Sequence, residues 1–194
     1  SQRKRWRGDS LMKKALVFFS FFCEMCEALC VVDVLRRAGI KVVTAGVTGE
    51  RVVSSHDVEI KADVLLSEVK EDDWDLVFCP GGMPGATNLA SSSLVNSLIL
   101  SAYNKGRVVS AICASPAVVF GPLGIIKSGK ATCYPGCEEF APGIDFVSDG
   151  VVVDGNVVTG KSAGWAFDLG LKLISLLLGD DKAEKVRASI YYKD

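Results

Sequence analysis

The strongest constraint on this chain is a repeat of one pattern near its start. Residues 14–19, KALVFF, form a short apolar run bounded by polar residues. Residues 24–38, EMCEALCVVDVLRRA, place apolar side chains at helical spacing and end at Gly39. Residues 40–45, IKVVTA, are a second β-type run ending at Gly46. Strand, helix and strand within about 35 residues leave no room for a hairpin solution. A helical crossover joins parallel neighbours, so the pattern predicts a βαβ unit and a parallel sheet.

The alternation continues. Residues 51–67 carry short alternating pieces around Ser54-Ser55-His56 and predict a small hairpin excursion. DLVFC at 75–79 predicts a buried strand that ends in Pro80-Gly81-Gly82. A helix is expected over 92–104, a strand over 107–112, and a helix from about 115. Strands are expected at 130–133 and in VVVDGNVVT, 151–159, where Asp154-Gly155 signals a hairpin. Ser162 is placed to cap a long helix to Leu178 with Gly179 beyond its end, and Asp180 to cap a short final helix. Strictly alternating elements predict a flavodoxin-like three-layer α/β sandwich with a mostly parallel central sheet. Residues 13–194 read as a single domain, and the basic run before them, SQRKRWRGDSL, as a flexible extension over 1–12, with Met12 in the position of a natural start.

Composition narrows the function class. The chain has 194 residues, 49% hydrophobic and 23% charged, with a formal net charge of -1. That balance predicts neither a nucleic-acid partner nor a membrane segment. Seven cysteines, an odd number, without a secretory signal peptide, point to a reducing, cytoplasmic setting rather than a disulfide framework.

Ligands of open α/β sheets bind beyond the carboxyl ends of the strands. Three features fall there: Glu24 and Glu27 after the first strand, Pro80-Gly81-Gly82-Met83-Pro84-Gly85 after the 75–79 strand, and Cys113 after the 107–112 strand. In VVSAICASPAVVF, 108–120, a strand ends in a thiol at a sharp turn. A residue at such an elbow is exposed and strained, and the N–H groups that follow favour a thiolate and can cradle an oxyanion. The alternative for Cys113 is an inert buried thiol.

A base or acid partner has few candidates. His56 is the one histidine, and it lies in the hairpin excursion. Glu24 and Glu27 are three apart at a helix start, where acids also suit the helix dipole. Buried by the sheet end, one of them stays protonated and donates to the thiolate. PGGMPG is neither GxGxxG nor a P-loop, and reads as close backbone approach to the thiol, with Gly82 N–H as an oxyanion donor. Cys23-x-x-Cys26 has the spacing of a redox or zinc pair, and Cys133-x3-Cys137 would add two ligands. Cys23, Cys26 and Cys30, however, fall at i, i+3 and i+7, one helix face, so packing accounts for them.

Over residues 13–194 the chain resembles the ThiJ/PfpI superfamily, in the branch of the parkinsonism-associated protein DJ-one. The resemblance rests on KALVFF, on Glu27 before VVDVLRRAGIKV, on FCPGGMPGATNL and on AICASPAVV. It implies a class I glutamine-amidotransferase-like sandwich and a homodimer with its site near the subunit interface. By position it implies that Cys113 is an oxidisable nucleophile, Glu27 its protonated acid partner, and Gly82 and Ala114 the oxyanion donors. Ala114 stands where the protease-like branch carries histidine, which argues against peptide hydrolysis. Tyr134 replaces a histidine of some relatives, and His56 stands where relatives often have arginine and reads as a surface or interface residue.

The activity so implied is a cofactor-independent glyoxalase or deglycase acting on a small aldehyde or dicarbonyl such as methylglyoxal. The rival is a redox-sensing or chaperone protein in which Cys113 is oxidised to sulfinic acid without turnover.

Overall fold

A computed structural model describes residues 12–70 and 73–193. The expectation for residues 1–12 falls, Met12 apart, outside them. The chain forms β1 (Lys14–Phe19), α1 (Met25–Arg37), β2 (Lys41–Gly46), β3 (Arg51–Val53), β4 (Glu59–Lys61) and β5 (Val64–Leu65). It continues with β6 (Leu76–Cys79), α2 (Gly85–Ala90), α3 (Ser93–Asn104) and β7 (Val108–Ile112). A π-helical turn, Pro116–Phe120, runs into the short α4 (Gly121–Leu123). The hairpin β8 (Val151–Asp154) and β9 (Val157–Gly160) follows, then α5 (Ala166–Leu178) and α6 (Asp180–Ser189).

Seven strands form one sheet in the order β5-β2-β1-β6-β7-β9-β8, and β3 pairs with β4 in a separate antiparallel ribbon. Among the described strands of the main sheet, only β8 runs antiparallel. Alternate residues of each strand serve opposite faces. Leu16, Phe18, Val77 and Val109 pack with Leu89, Val95 and Ile99 of α2 and α3. Ala15, Val17, Phe19, Leu76 and Phe78 pack with Val31, Leu35, Leu169 and Leu173 of α1 and α5. Each fully buried aliphatic or aromatic side chain contributes about 1.5–3 kcal/mol. The sheet is thus buried on both faces, as its continuous apolar strands require.

Capping fixes α1. The Glu24 side chain accepts the Cys26 N–H at 2.9 Å, and Arg36 and Arg37 occupy the last turn. Gly39, at φ +84°, takes the left-handed turn that ends it. From β1 the chain steps to β2 on one side and returns to β6 on the other, so the strand order reverses between β1 and β6.

Several local expectations are corrected. Residues 130–133 form no strand: Thr132 N–H donates to the Thr159 hydroxyl, and Ala131 C=O accepts from Val147 N–H, so these groups join no ladder. The helix expected from 115 is a π-helical turn plus α4, since Pro122 has no N–H to continue an α-helical ladder. Ser162 makes no side-chain cap, and a 3-10 turn at Ala163–Trp165 precedes α5. Asp180 is the first residue of α6, not its cap. The hairpin turn is Gly155-Asn156, because Asp154 already pairs with Val157.

Candidate functional site

Cys113 directly follows β7 at a backbone φ of +65°, in the left-handed region that side chains other than glycine rarely adopt. The position is held from both sides: its N–H donates to Gly160 C=O at 2.9 Å, and its C=O accepts the Tyr134 N–H at 2.8 Å. The strain of the expected elbow is therefore present, and the thiol is half-buried rather than sealed in the core. Ala114 and Ser115 behind it are buried, and Ser115 Oγ donates to Pro80 C=O at 2.6 Å. That bond ties the glycine loop to the elbow.

Glu27 lies in the first turn of α1 and is 1% exposed. Its Oε1 accepts the Gly81 N–H at 2.9 Å, and its Oε2 meets no donor of good geometry. The Cys113 thiol interacts with the same carboxyl, each group moving the other's titration. Gly81 makes the approach possible, because a Cβ there would lie 2.7 Å from Cys113 Cβ and 2.8 Å from Glu27 Oε1. Glu24 has the other role open to the pair of acids. It caps α1 and its Oε2 accepts from Ser55 Oγ at 3.1 Å.

Burial pushes Glu27 up to about 7; its contacts with Cys113 and the Gly81 N–H pull the other way, and Glu24 adds to the rise. Burial, then the Glu27 charge, push the Cys113 thiol up, while the N–H groups of Gly82 and Ala114 pull it down. The expected helix N-terminus is absent from this balance. A five-residue π-turn has little macrodipole, and the backbone acts through two individual N–H groups. The upward push from Glu27 belongs to its ionised form. When Glu27 holds the proton, that charge disappears and the carboxylic acid faces the sulfur as a donor.

The structure thus brings Cys113, Glu27, Gly82 and Ala114 together at the carboxyl edge of β1, β6 and β7. It adds Gly81 and Ser115, whose roles spacing does not reveal. His56 has a 75% exposed side chain and reaches Glu24 Oε2 at 3.3 Å. Tyr134 has a largely exposed side chain and serves the site through its backbone. Among the described residues no three potential metal ligands cluster, so the Cys23/Cys26 and Cys133/Cys137 pairs do not combine. A cavity of about 620 Å³ lies elsewhere, beside Trp165, Asp168, Lys172 and Arg187, and contains none of the site's residues. No helix among the described residues is long and apolar enough to cross a membrane.

Fold and elbow define an α/β-sandwich protein with a thiol at the topological switch of a parallel sheet. The chain belongs to the DJ-1/PfpI family, whose profile matches residues 13–176. It is 38% identical to Drosophila melanogaster protein dj-1beta over 179 residues, 91% of this chain and 95% of that one. It is 32% identical to the Caenorhabditis elegans glutathione-independent glyoxalase DJR-1.2, over 84% of this chain and 87% of that one. It spans only 41% of the longer Arabidopsis thaliana DJ-1 homolog B, at 35% identity over 92% of this chain. The structure of oxidized Toxoplasma gondii DJ-1 superposes with a TM-score of 0.89, at 36% identity over 93% of this chain and 98% of that one.

Proposed function

We propose that this protein is a cysteine-dependent glyoxalase or deglycase that converts small dicarbonyls, methylglyoxal to lactate among them, without a cofactor. The observation that carries the reading is the buried Glu27 carboxyl beside the elbow thiol, in reach of two N–H donors. A relative that bears the name glutathione-independent glyoxalase supports the same class of reaction.

Thiol and carboxyl share one proton. Glu27 takes it as the Cys113 sulfur adds to the aldehyde carbon, and the new oxyanion lies on the Gly82 and Ala114 N–H groups before Glu27 protonates it. The carboxylate then removes the proton from the former aldehyde carbon and returns it to the adjacent one, which leaves a thioester. Water cleaves the thioester to the hydroxy acid and restores the thiol. One water is consumed per dicarbonyl, and no electron leaves the substrate. Protection against carbonyl and oxidative stress, in the cytoplasm and as a homodimer, belongs to the same proposal.

Lactate formation from methylglyoxal without glutathione tests it. Turnover by the wild type and none by Cys113→Ser is the expected result. No turnover by either protein, or equal turnover by both, overturns it. A second reading follows from the same geometry. A half-buried sulfur beside a carboxylic acid donor also suits oxidation to sulfinic acid, which makes Cys113 a redox sensor. Light scattering at the mass of one chain would remove the dimer.

A further inference from the structure

The segment that fails to form a strand at 130–133 runs instead as a strap over the elbow. Thr132 N–H donates to Thr159 Oγ1 at 3.0 Å, and Tyr134 N–H donates to Cys113 C=O at 2.8 Å. The chain then reverses: Cys137 N–H donates to Tyr134 C=O at 2.9 Å, with Gly136 at φ +101° inside the turn. Such a turn brings its first and fourth Cα atoms within about 7 Å. Two thiols therefore flank Tyr134, whose N–H holds the Cys113 carbonyl. Cys133 precedes Tyr134, and Cys137 closes the turn.

Both thiols belong to one small cluster with Ala117 and Ala141, and Cys137 also packs against the core that contains Ala114. Ala117 lies in the helical turn that leaves the elbow, so the strap's sulfurs sit beside the residues just after Cys113. Apolar packing does not describe their whole setting. Cys133 Sγ lies 3.5 Å from Tyr134 O and 4.0 Å from Glu138 Oε2. Burial raises the Cys137 thiol first, then Glu138, Glu139 and Glu27, which places it within the field of the Cys113 site. Tyr134, Pro135 and Gly136 are exposed, and a cavity of about 160 Å³ adjoins Cys133, Pro135 and Glu138.

We propose that Cys137 and Cys133 are a resolving pair for Cys113, through which one hydroperoxide is reduced at the expense of their two thiols. The inference rests on Cys113 being the reactive thiol. A hydroperoxide transfers one oxygen to the Cys113 sulfur, giving a sulfenic acid and water or an alcohol. The Cys137 thiol attacks that sulfur; an S–S bond forms, and the hydroxyl leaves as a second water with a proton supplied by Glu27. Cys133 then attacks the Cys137 sulfur and expels Cys113, whose departing thiolate is received by the Gly82 and Ala114 N–H groups. The two electrons come from Cys133 and Cys137, which end as a disulfide, and Cys113 is a thiol again. Oxidation then stops short of the irreversible acids.

The test treats the reduced full-length protein with about one equivalent of hydrogen peroxide, alkylates free thiols, and maps peptides by mass. The expected wild-type product is a Cys133–Cys137 disulfide with Cys113 still alkylated. In Cys137→Ser, a second equivalent of peroxide is expected to take Cys113 on to sulfinic acid, and in Cys113→Ser the disulfide forms at least about tenfold more slowly. Sulfenic or sulfinic Cys113 in the wild type with Cys133 and Cys137 both free overturns the proposal, even if neither variant folds. A disulfide formed as fast in Cys113→Ser overturns it as well. Failure of the underlying reading looks different: Cys113 in the wild type would react with iodoacetamide no faster than Cys137, and no thiol would be oxidised at one equivalent.

Discussion

Gly81 N–H donates to Glu27 Oε1 at 2.9 Å across the point where the strand order reverses. The bond joins the helix after β1 to the loop after β6, two segments 54 residues apart. It holds a buried carboxyl beside the half-buried elbow thiol of Cys113. It also leaves Oε2 free to face that thiol, since Oε1 alone takes the backbone donor.

Gly81→Ala tests how tightly this junction is packed. The added Cβ would lie 2.8 Å from Ile112 O as well as within 2.8 Å of Glu27 Oε1 and 2.7 Å from Cys113 Cβ. None of the three can retreat, because two belong to the elbow and one is buried. The expected cost is about 1–3 kcal/mol in denaturant unfolding, with slower alkylation of Cys113. Gly164→Ala, where nothing lies within 4 Å of the new Cβ, is the control and should change stability little.

Glu27 makes stability depend on pH in a defined direction. Its folded value, about 7, lies above the ordinary 4.5, so the folded state binds the proton more tightly than the unfolded one. The contribution is complete below about 4.5 and is lost as pH rises through about 7, a swing on the order of 3 kcal/mol. Glu27→Gln keeps the acceptor for Gly81 and removes the titration. Urea unfolding between pH 4.5 and 8 should show the decline in the wild type and a flatter profile in the variant. Equal slopes would place the proton elsewhere.

Backbone strain at Cys113 is separable from its chemistry. Cys113→Ala and Cys113→Gly both remove the sulfur, but only glycine accepts φ +65° without a steric penalty. Glycine gains about 1–2 kcal/mol there and loses roughly 0.4–1 kcal/mol to the freer unfolded chain. Cys113→Gly should therefore be more stable than Cys113→Ala by about 1 kcal/mol in parallel denaturant titrations. A less stable glycine variant would mean that the elbow is not strained.

Periodicity carries most of this fold. KALVFF, the α1 stripe and IKVVTA each keep one period, and burial on both faces leaves the strands no alternative. The site was legible in outline because strand ends of a parallel sheet converge, which puts Glu27, the glycine loop and Cys113 at one edge. Gly81 was not legible as the partner of Glu27, since its lack of a side chain matters only through atoms of α1 and β7 that the sequence does not place beside it. Spacing alone could not divide the labour between Glu24 and Glu27; burial did, one acid going to the helix cap and one to the sheet end. Residues 130–133 form no strand because their backbone groups meet the Thr159 hydroxyl and the Val147 N–H, partners that the sequence does not place beside them. The missed helix α2 follows the glycine loop so closely that GATNLA reads as its continuation.

Ser115 is the remaining test of how the site is held. Its hydroxyl, fully buried, donates to Pro80 C=O at 2.6 Å, and Pro80 opens the loop that carries Gly81 and Gly82. Ser115→Ala strands that carbonyl away from water at a cost of about 1–3 kcal/mol. The greater consequence is positional, because the loop would no longer be pinned to the elbow and the Gly82 N–H would drift from the sulfur. A donor that acts on the oxyanion rather than on the bound aldehyde should affect kcat more than KM. The expected signature is a fall in kcat of about tenfold or more with KM nearly unchanged, together with slower alkylation of Cys113. A variant that loses stability but keeps kcat would show that the loop holds its place without the hydroxyl, and that Ser115 serves the fold alone.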